Sequence, residues 1–176
     1  MAKTRIVLQT SFLAVSVLLS LASITPSAVA VHYYQACIEF SQNGVPIPGA
    51  VWCDAQQISN VNDILIIFTQ SSRTTVQFTL NGNPLGRPFR APGAANNFDI
   101  DYDIVRGVIT RAVWTRNDSP IGNPLPVPAG ANDFLLITTT GVITNVWWTF
   151  NGQLVYATGV PPGTNDLRFV LVPFVH

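Results

Sequence analysis

Along this chain, apolar and polar residues alternate in short runs that stop at an asparagine pair. In "QFTLNG", Gln77–Gly82, Gln77 and Thr79 fall on one side of an extended segment and Phe78 on the other, and the run then meets Asn81-Gly82. Period two marks a half-buried strand, and Asn-Gly accepts the positive φ angles of a two-residue type I′ hairpin turn. The pattern recurs as "CIEFSQNGVPIPG" from Cys37, "AVWTRNDSPIGNP" from Ala112 and "VWWTFNGQLVYAT" from Val146. Its turn falls at Asn43, Asn81, Asn117 and Asn151, at spacings of 38, 36 and 34 residues.

A second signal follows each turn, at Asn62-Asp63, Asn96-Asn97, Asn132-Asp133 and Asn165-Asp166, and the last three are preceded by Pro/Gly loops. Two kinds of punctuation in one order, four times over, point to internal duplication. Each unit reads as strand A, an Asn-Gly turn, a strand B broken by proline, an Asn-Asp turn and strand C. Pro84, Pro88, Pro124 and Pro126 cannot donate ladder hydrogen bonds, so strand B is expected to be an edge strand or a partly irregular crossing. No segment of Val31–His176 carries a helical period. The expected fold is all-β: four pseudo-repeats of about 35 residues, near 36–73, 74–107, 108–141 and 142–176, packed as a β-sandwich or a closed barrel-like assembly.

Counting back from each turn assigns the faces. Strand A buries Ile38 and Phe40, Val76 and Phe78, Ala112 and Trp114, and Val146 and Trp148. Strand C buries Ile64, Ile66 and Phe68, then Phe98, Ile100 and Tyr102, then Phe134 and Leu136, then Leu167, Phe169 and Leu171. Each large side chain contributes about 1.5–3 kcal/mol on burial. The reverse face of strand C differs between units. It is apolar at Leu65 and Ile67 and again at Leu135 and Ile137, but acidic at Asp99, Asp101 and Asp103. Apolar residues on both sides of a strand call for cover, either from a second layer of the same domain or from another copy of the chain.

Composition then narrows the setting. Residues 1–30 read as a secretory signal peptide: Lys3 and Arg5, an apolar run from Ile6 to Ile24, and a small-x-small site ending at Ala30. The rest, 31–176, has the size of a single domain with its own core. In that part seven arginines face nine acidic residues, a net charge of −2, so there is no basic surface for a nucleic acid and no span for a membrane. Cys37 and Cys53 flank the first turn closely enough to pair across the hairpin, with a bulge between, and a disulfide fits an exported chain.

Candidate chemistry is sparse. The two histidines, His32 and His176, stand at opposite ends of the exported part, Glu39 is its only glutamate, and no nucleophile motif or phosphate loop is present. No catalytic residue, cofactor or metal is expected. Successive aspartates of Asp99, Asp101 and Asp103 are about 7 Å apart on one strand face, too far for all three to hold one cation, and read as a solvated strand with arginines nearby. The Asx pairs read as turn residues that satisfy backbone N–H groups. The best functional signal is aromatic. Trp147 points away from the core, Thr149 lies beside it, and Tyr156 in the partner strand is near enough to share its surface, a platform suited to stacking on a sugar ring. The expected function is a secreted, non-catalytic protein that binds a glycan or another cell-surface ligand. The alternative is a structural extracellular protein that assembles with copies of itself through Leu65, Ile67, Leu135 and Ile137.

Overall fold

A computed structural model describes residues 33–53, 62–69 and 73–174. The leader expected at 1–30, and both histidines, lie outside them. Two antiparallel sheets face each other. The first contains β1 (Tyr33–Gln42), β2 (Val45–Cys53), β4 (Thr74–Leu80), β5 (Asn83–Pro84), β6 (Phe89–Arg90), β10 (Asp133–Thr138) and β13 (Asp166–Phe174). Its order is β2-β1-β13-β10-β4-β5, with β6 also pairing β4. The second contains β3 (Asp63–Phe68), β7 (Asn97–Asp103), β8 (Val108–Arg116), β9 (Ser119–Pro120), β11 (Ile143–Phe150) and β12 (Gln153–Thr158), in the order β12-β11-β3-β7-β8-β9. Both sheets are open, so the arrangement is that of a β-sandwich and not of a closed barrel.

The chain changes sheet repeatedly. Hairpin β1–β2 lies in the first sheet and β3 in the second; hairpin β11–β12 lies in the second and β13 in the first. The hairpin partners β2, β5, β9 and β12 form the edges, where the missing N–H groups of Pro46, Pro48, Pro84 and Pro120 do least harm. The hairpins turn as expected. Asn43, Asn81, Asn117 and Asn151 have φ of 52°, 51°, 50° and 50°, each followed by a second positive-φ residue. At that second position Gly44, Gly82 and Gly152 meet the type I′ requirement without steric cost, and Asp118, at 64°, meets it as a non-glycine.

Between the sheets lies one hydrophobic core, and every residue assigned to it by face counting is buried. Phe98 of β7 meets Phe134 of β10 edge-to-face at 5.6 Å, and Tyr102 meets Phe169 of β13 at 5.3 Å, so aromatic pairs join the two sheets. Cys37 stands opposite Cys53 and the two form a disulfide, with the register shift between Glu39 and Ser41 supplying the expected bulge. Leu65 and Ile67 lie half-buried on the outer face of the second sheet, and Leu135 and Ile137 on that of the first. These four positions therefore face opposite ways and cannot form one contiguous patch.

Candidate functional site

The Asx pairs and the hairpin turns find each other across long stretches of chain. Asn165 accepts from the Asn43 backbone N–H at 2.8 Å and its amide donates to the Asn43 side chain at 3.0 Å. Asn132 does the same to Asn81, Asn96 to Asn117 and Asn62 to Asn151. The next residue completes each clamp. Carboxylates of Asp166, Asp133 and Asp63 accept the N–H of Gly44, Gly82 and Gly152 at 2.6, 2.9 and 2.9 Å. In the remaining clamp the chemistry is exchanged: Asn97 stands at the aspartate position, and its amide donates to Asp118 at the glycine position, 2.9 Å away. The Asx residues are thus turn-holding groups, as their type suggests.

These clamps shape the outer face of the second sheet. The hairpin tip at Asn151-Gly152 is tied to the first residue pair of β3, and the tip at Asn117-Asp118 to that of β7, whose starts lie at opposite ends of the antiparallel β3–β7 pair. Between the two tips lies a pocket of about 270 Å³ lined by Leu65, Asp99, Thr115, Asp118, Trp147, Thr149, Gly152 and Leu154. One register row crosses its floor, from Trp147 to Leu65 to Asp99. The corresponding row of the first sheet runs Glu39, Arg168, Leu135, Gln77, with Arg168 bonded to Asp133 at 3.1 Å, and has no aromatic residue.

The structure brings Trp147 and Thr149 together in this pocket but removes Tyr156 from it. A regular two-residue hairpin would set Tyr156 opposite Trp147. The register shifts between Trp148 and Thr149, so that Tyr156 pairs with Trp148 and Ala157 with Trp147. One extra residue moves all that follows to the other face. Tyr156 instead stacks on Trp148 at 5.6 Å, and on its far side stands half-exposed Trp52 at 6.3 Å. The indole N–H of buried Trp148 donates to the Thr158 hydroxyl at 2.7 Å.

Sequence reasoning did not single out Leu65, Asp99, Thr115, Asp118 and Leu154 as partners of Trp147, since they come from β3, β7, β8 and two hairpins. Their electrostatics are distinctive. Asp63 faces Asp101 across the β3–β7 pair, and Asp99 is on the same face two residues along β7. Arg111 reaches Asp99 at 3.2 Å and Asp101 at 3.3 Å, while Asp103 is held apart by Arg106. Arg106 stands three residues from Asp103 in sequence, whereas Arg111 is brought to Asp99 and Asp101 by the pairing of β8 with β7. Burial, together with the Asp101 charge, pushes the Asp99 carboxyl above the usual carboxylate range even with Arg111 beside it. Burial likewise raises Asp63, whose bond from the Gly152 N–H opposes it, whereas N–H donors from Arg106 and Val105 hold Asp103 below the usual range.

Neither a known protein-family profile nor a curated protein matches this chain. Among the described residues no helix is long and apolar enough to cross a membrane.

Proposed function

We propose that the protein is a secreted, non-catalytic binding protein that holds a glycan in the pocket over Trp147. The observation that carries this is the composition of one enclosure: an indole, two carboxylates and two threonines, gathered from adjacent strands and the hairpin turn at Asp118. Sugars present an apolar ring face and a rim of hydroxyls, and an aromatic plane flanked by a few fixed polar groups matches both. A volume of about 270 Å³ is below that of sites for drug-sized ligands and suits a single ring. A non-catalytic role is supported by the occupation of the nearby carboxylates: Asp63 holds the Gly152 N–H, and Asp99 and Asp101 share Arg111. The disulfide and the leader-like first thirty residues support export. Fourfold duplication of a three-stranded unit accounts for the matching strand orders of the two sheets, each with two C strands at its centre, flanked by A and then B strands.

Screening on a glycan array, followed by titration of the best ligand, tests the proposal. Trp147→Ala is expected to weaken binding at least tenfold, which is ~1.4 kcal/mol, while Tyr156→Ala leaves affinity within twofold. Equal loss in both variants, or binding untouched by Trp147→Ala, would place the ligand elsewhere.

A second function, self-assembly, is favoured by one edge. Strand β12 carries neither proline nor charge and exposes Leu154 and Val155, whereas β2, β5 and β9 all contain proline. Its bulge at Val155 shortens the run available for pairing. Light scattering that shows mass growing with concentration, suppressed by Val155→Lys, would support assembly through this edge over the outer-face residues Leu65, Ile67, Leu135 and Ile137.

A further inference from the structure

Among the described residues, the pocket over Trp147 is lined by two carboxylates and no cation, and it holds a hydroxyl without a hydrogen-bond partner. Asp99 and Asp118 both line it, and Asp63 and Asp101 stand in the adjoining row of β3 and β7. Arg111 is the cation shared by Asp99 and Asp101, while Asp118 is bonded to the neutral amide of Asn97. Thr115, 3 % exposed, lines the same pocket, and its Oγ1 has no hydrogen-bond partner among the described residues. A buried polar group left without a partner costs about 1–3 kcal/mol, so a ligand that completes its bonding has free energy to gain there.

Resting on the reading of this pocket as a sugar site, we infer that its ligand is an amino sugar carrying a free, protonated amine. The ring lies on Trp147 and Leu65, the ammonium sits against Asp99 in the field of Asp118, and a ring hydroxyl reaches Thr115. A cation over an indole face is attracted by the ring quadrupole as well as by the carboxylates. An acetylated amine loses that charge and adds bulk, and a plain hydroxyl leaves the carboxylate excess unbalanced. A lysine side chain would satisfy one carboxylate but would leave most of a trough spanning β11, β3, β7 and β8 unfilled.

Titrating the protein recovered from an exporting host with three β-1,4 tetrasaccharides, of glucosamine, N-acetylglucosamine and glucose, tests this at about pH 6, where an amine is protonated. The glucosamine chain is expected to bind at least tenfold more tightly than the other two. That advantage should shrink severalfold in 1 M salt, where screening acts over about 3 Å, and again in Asp99→Asn. Asp118→Asn retains an acceptor for Asn97 and gives a second charge-removing variant should Asp99→Asn fold poorly. Equal or tighter binding of the acetylated or glucose chain overturns the amine while leaving the sugar site standing. A lysine tetrapeptide that binds as tightly as the glucosamine chain overturns the amino sugar. Binding of none of these overturns both.

Discussion

The exchanged clamp offers a sharp test of what holds the hairpins in place. Three clamps set a carboxylate against a glycine N–H, and the fourth sets the Asn97 amide against the Asp118 carboxylate. Asn97→Asp alone should therefore be costly. It removes a hydrogen bond to a charged acceptor, worth about 1.5–3 kcal/mol, and puts two carboxylates at a separation near 2.9 Å in a site where residue 97 is 3 % exposed. Like charges about 4 Å apart near a protein surface repel by roughly 4 kcal/mol, although the pair can escape part of this by sharing a proton. A net loss of about 3 kcal/mol at neutral pH follows, and a fall in Tm of about 10 °C for a domain of this size.

Asp118→Gly alone should cost under ~1 kcal/mol. It gives up the same bond, but glycine relieves the 64° φ of Asp118, and the Oδ1 of Asn97, which has no partner among the described residues, becomes available to the backbone N–H at position 118. The double substitution rebuilds the clamp of the other three hairpins. Its stability should lie within about 1 kcal/mol of the parent, a coupling energy of at least ~2 kcal/mol in the double-mutant cycle. Urea unfolding of the four proteins with the disulfide intact measures the cycle. The Asn97→Asp penalty should also ease as pH falls, because protonation restores a donor between the two carboxyls. Additive costs, or an Asn97→Asp loss that is the same with and without Asp118, would refute the exchange as the explanation of this clamp.

Other consequences are separable from the clamps. Thr158→Val removes the acceptor of the Trp148 indole and should destabilise by about 1–3 kcal/mol, with a shift in tryptophan emission that the fold alone would not produce. Replacing Cys37 and Cys53 together by alanine should cost about 3 kcal/mol, read as a lower unfolding midpoint at unchanged native spectrum, since the disulfide spans 16 residues. Stability should carry two opposing acid titrations. The raised Asp99 contributes stability that is full below 3.8 and lost as pH rises through its elevated value. The lowered Asp103 contributes above 3.8 and loses it as pH falls through its depressed value. A Tm–pH profile of Asp99→Asn should weaken the first slope, which the raised Asp63 shares, and keep the second.

Much of the fold was legible because its strongest signals are local. Asn-Gly fixes a hairpin within four residues, and alternation counted from that point placed Ile38, Phe78, Trp114 and Trp148 in the core. Strand B was legible as an edge or an irregular crossing for the same reason, since a missing N–H excludes a central position: Pro84 lies in edge strand β5, and Pro88, Pro124 and Pro126 fall between strands. Legibility ended where one residue was inserted. Nothing in "QLVYAT" announces the bulge that turns Tyr156 from the surface of Trp147 to that of Trp148. Its cause is better sought in the partners Tyr156 gains, the Trp148 and Trp52 rings, than in local propensity.

The pocket was illegible for a further reason, and it bears on how the two outer faces came to differ. Asn62 clasps a turn 89 residues away, Asn165 one 122 away, Asn132 one 51 away and Asn96 one 21 away, so the clamps join segments of every separation while their local sequences look alike. The clamps therefore serve as a common frame, and hairpin tips are tied over both sheets. Within that frame the row beneath is free to vary, because outward positions carry none of the core. On the first sheet it became Glu39, Arg168, Leu135 and Gln77, where Arg168 lies 3.8 Å from Glu39 and 3.1 Å from Asp133, so that the row carries its own cation. On the second it became Trp147, Leu65 and Asp99, with no cation in the row and Asp99 sharing Arg111 with Asp101. The first row thus holds a cation of its own, whereas the second holds an aromatic plane and a carboxylate whose cation, Arg111, comes from the neighbouring row. Placing the Arg168 arrangement on the second sheet, as Leu65→Arg, should accordingly give up ligand binding while bringing the Asp99 carboxyl back toward its ordinary range, and a variant that bound unchanged would show that the asymmetry between the faces has nothing to do with recognition.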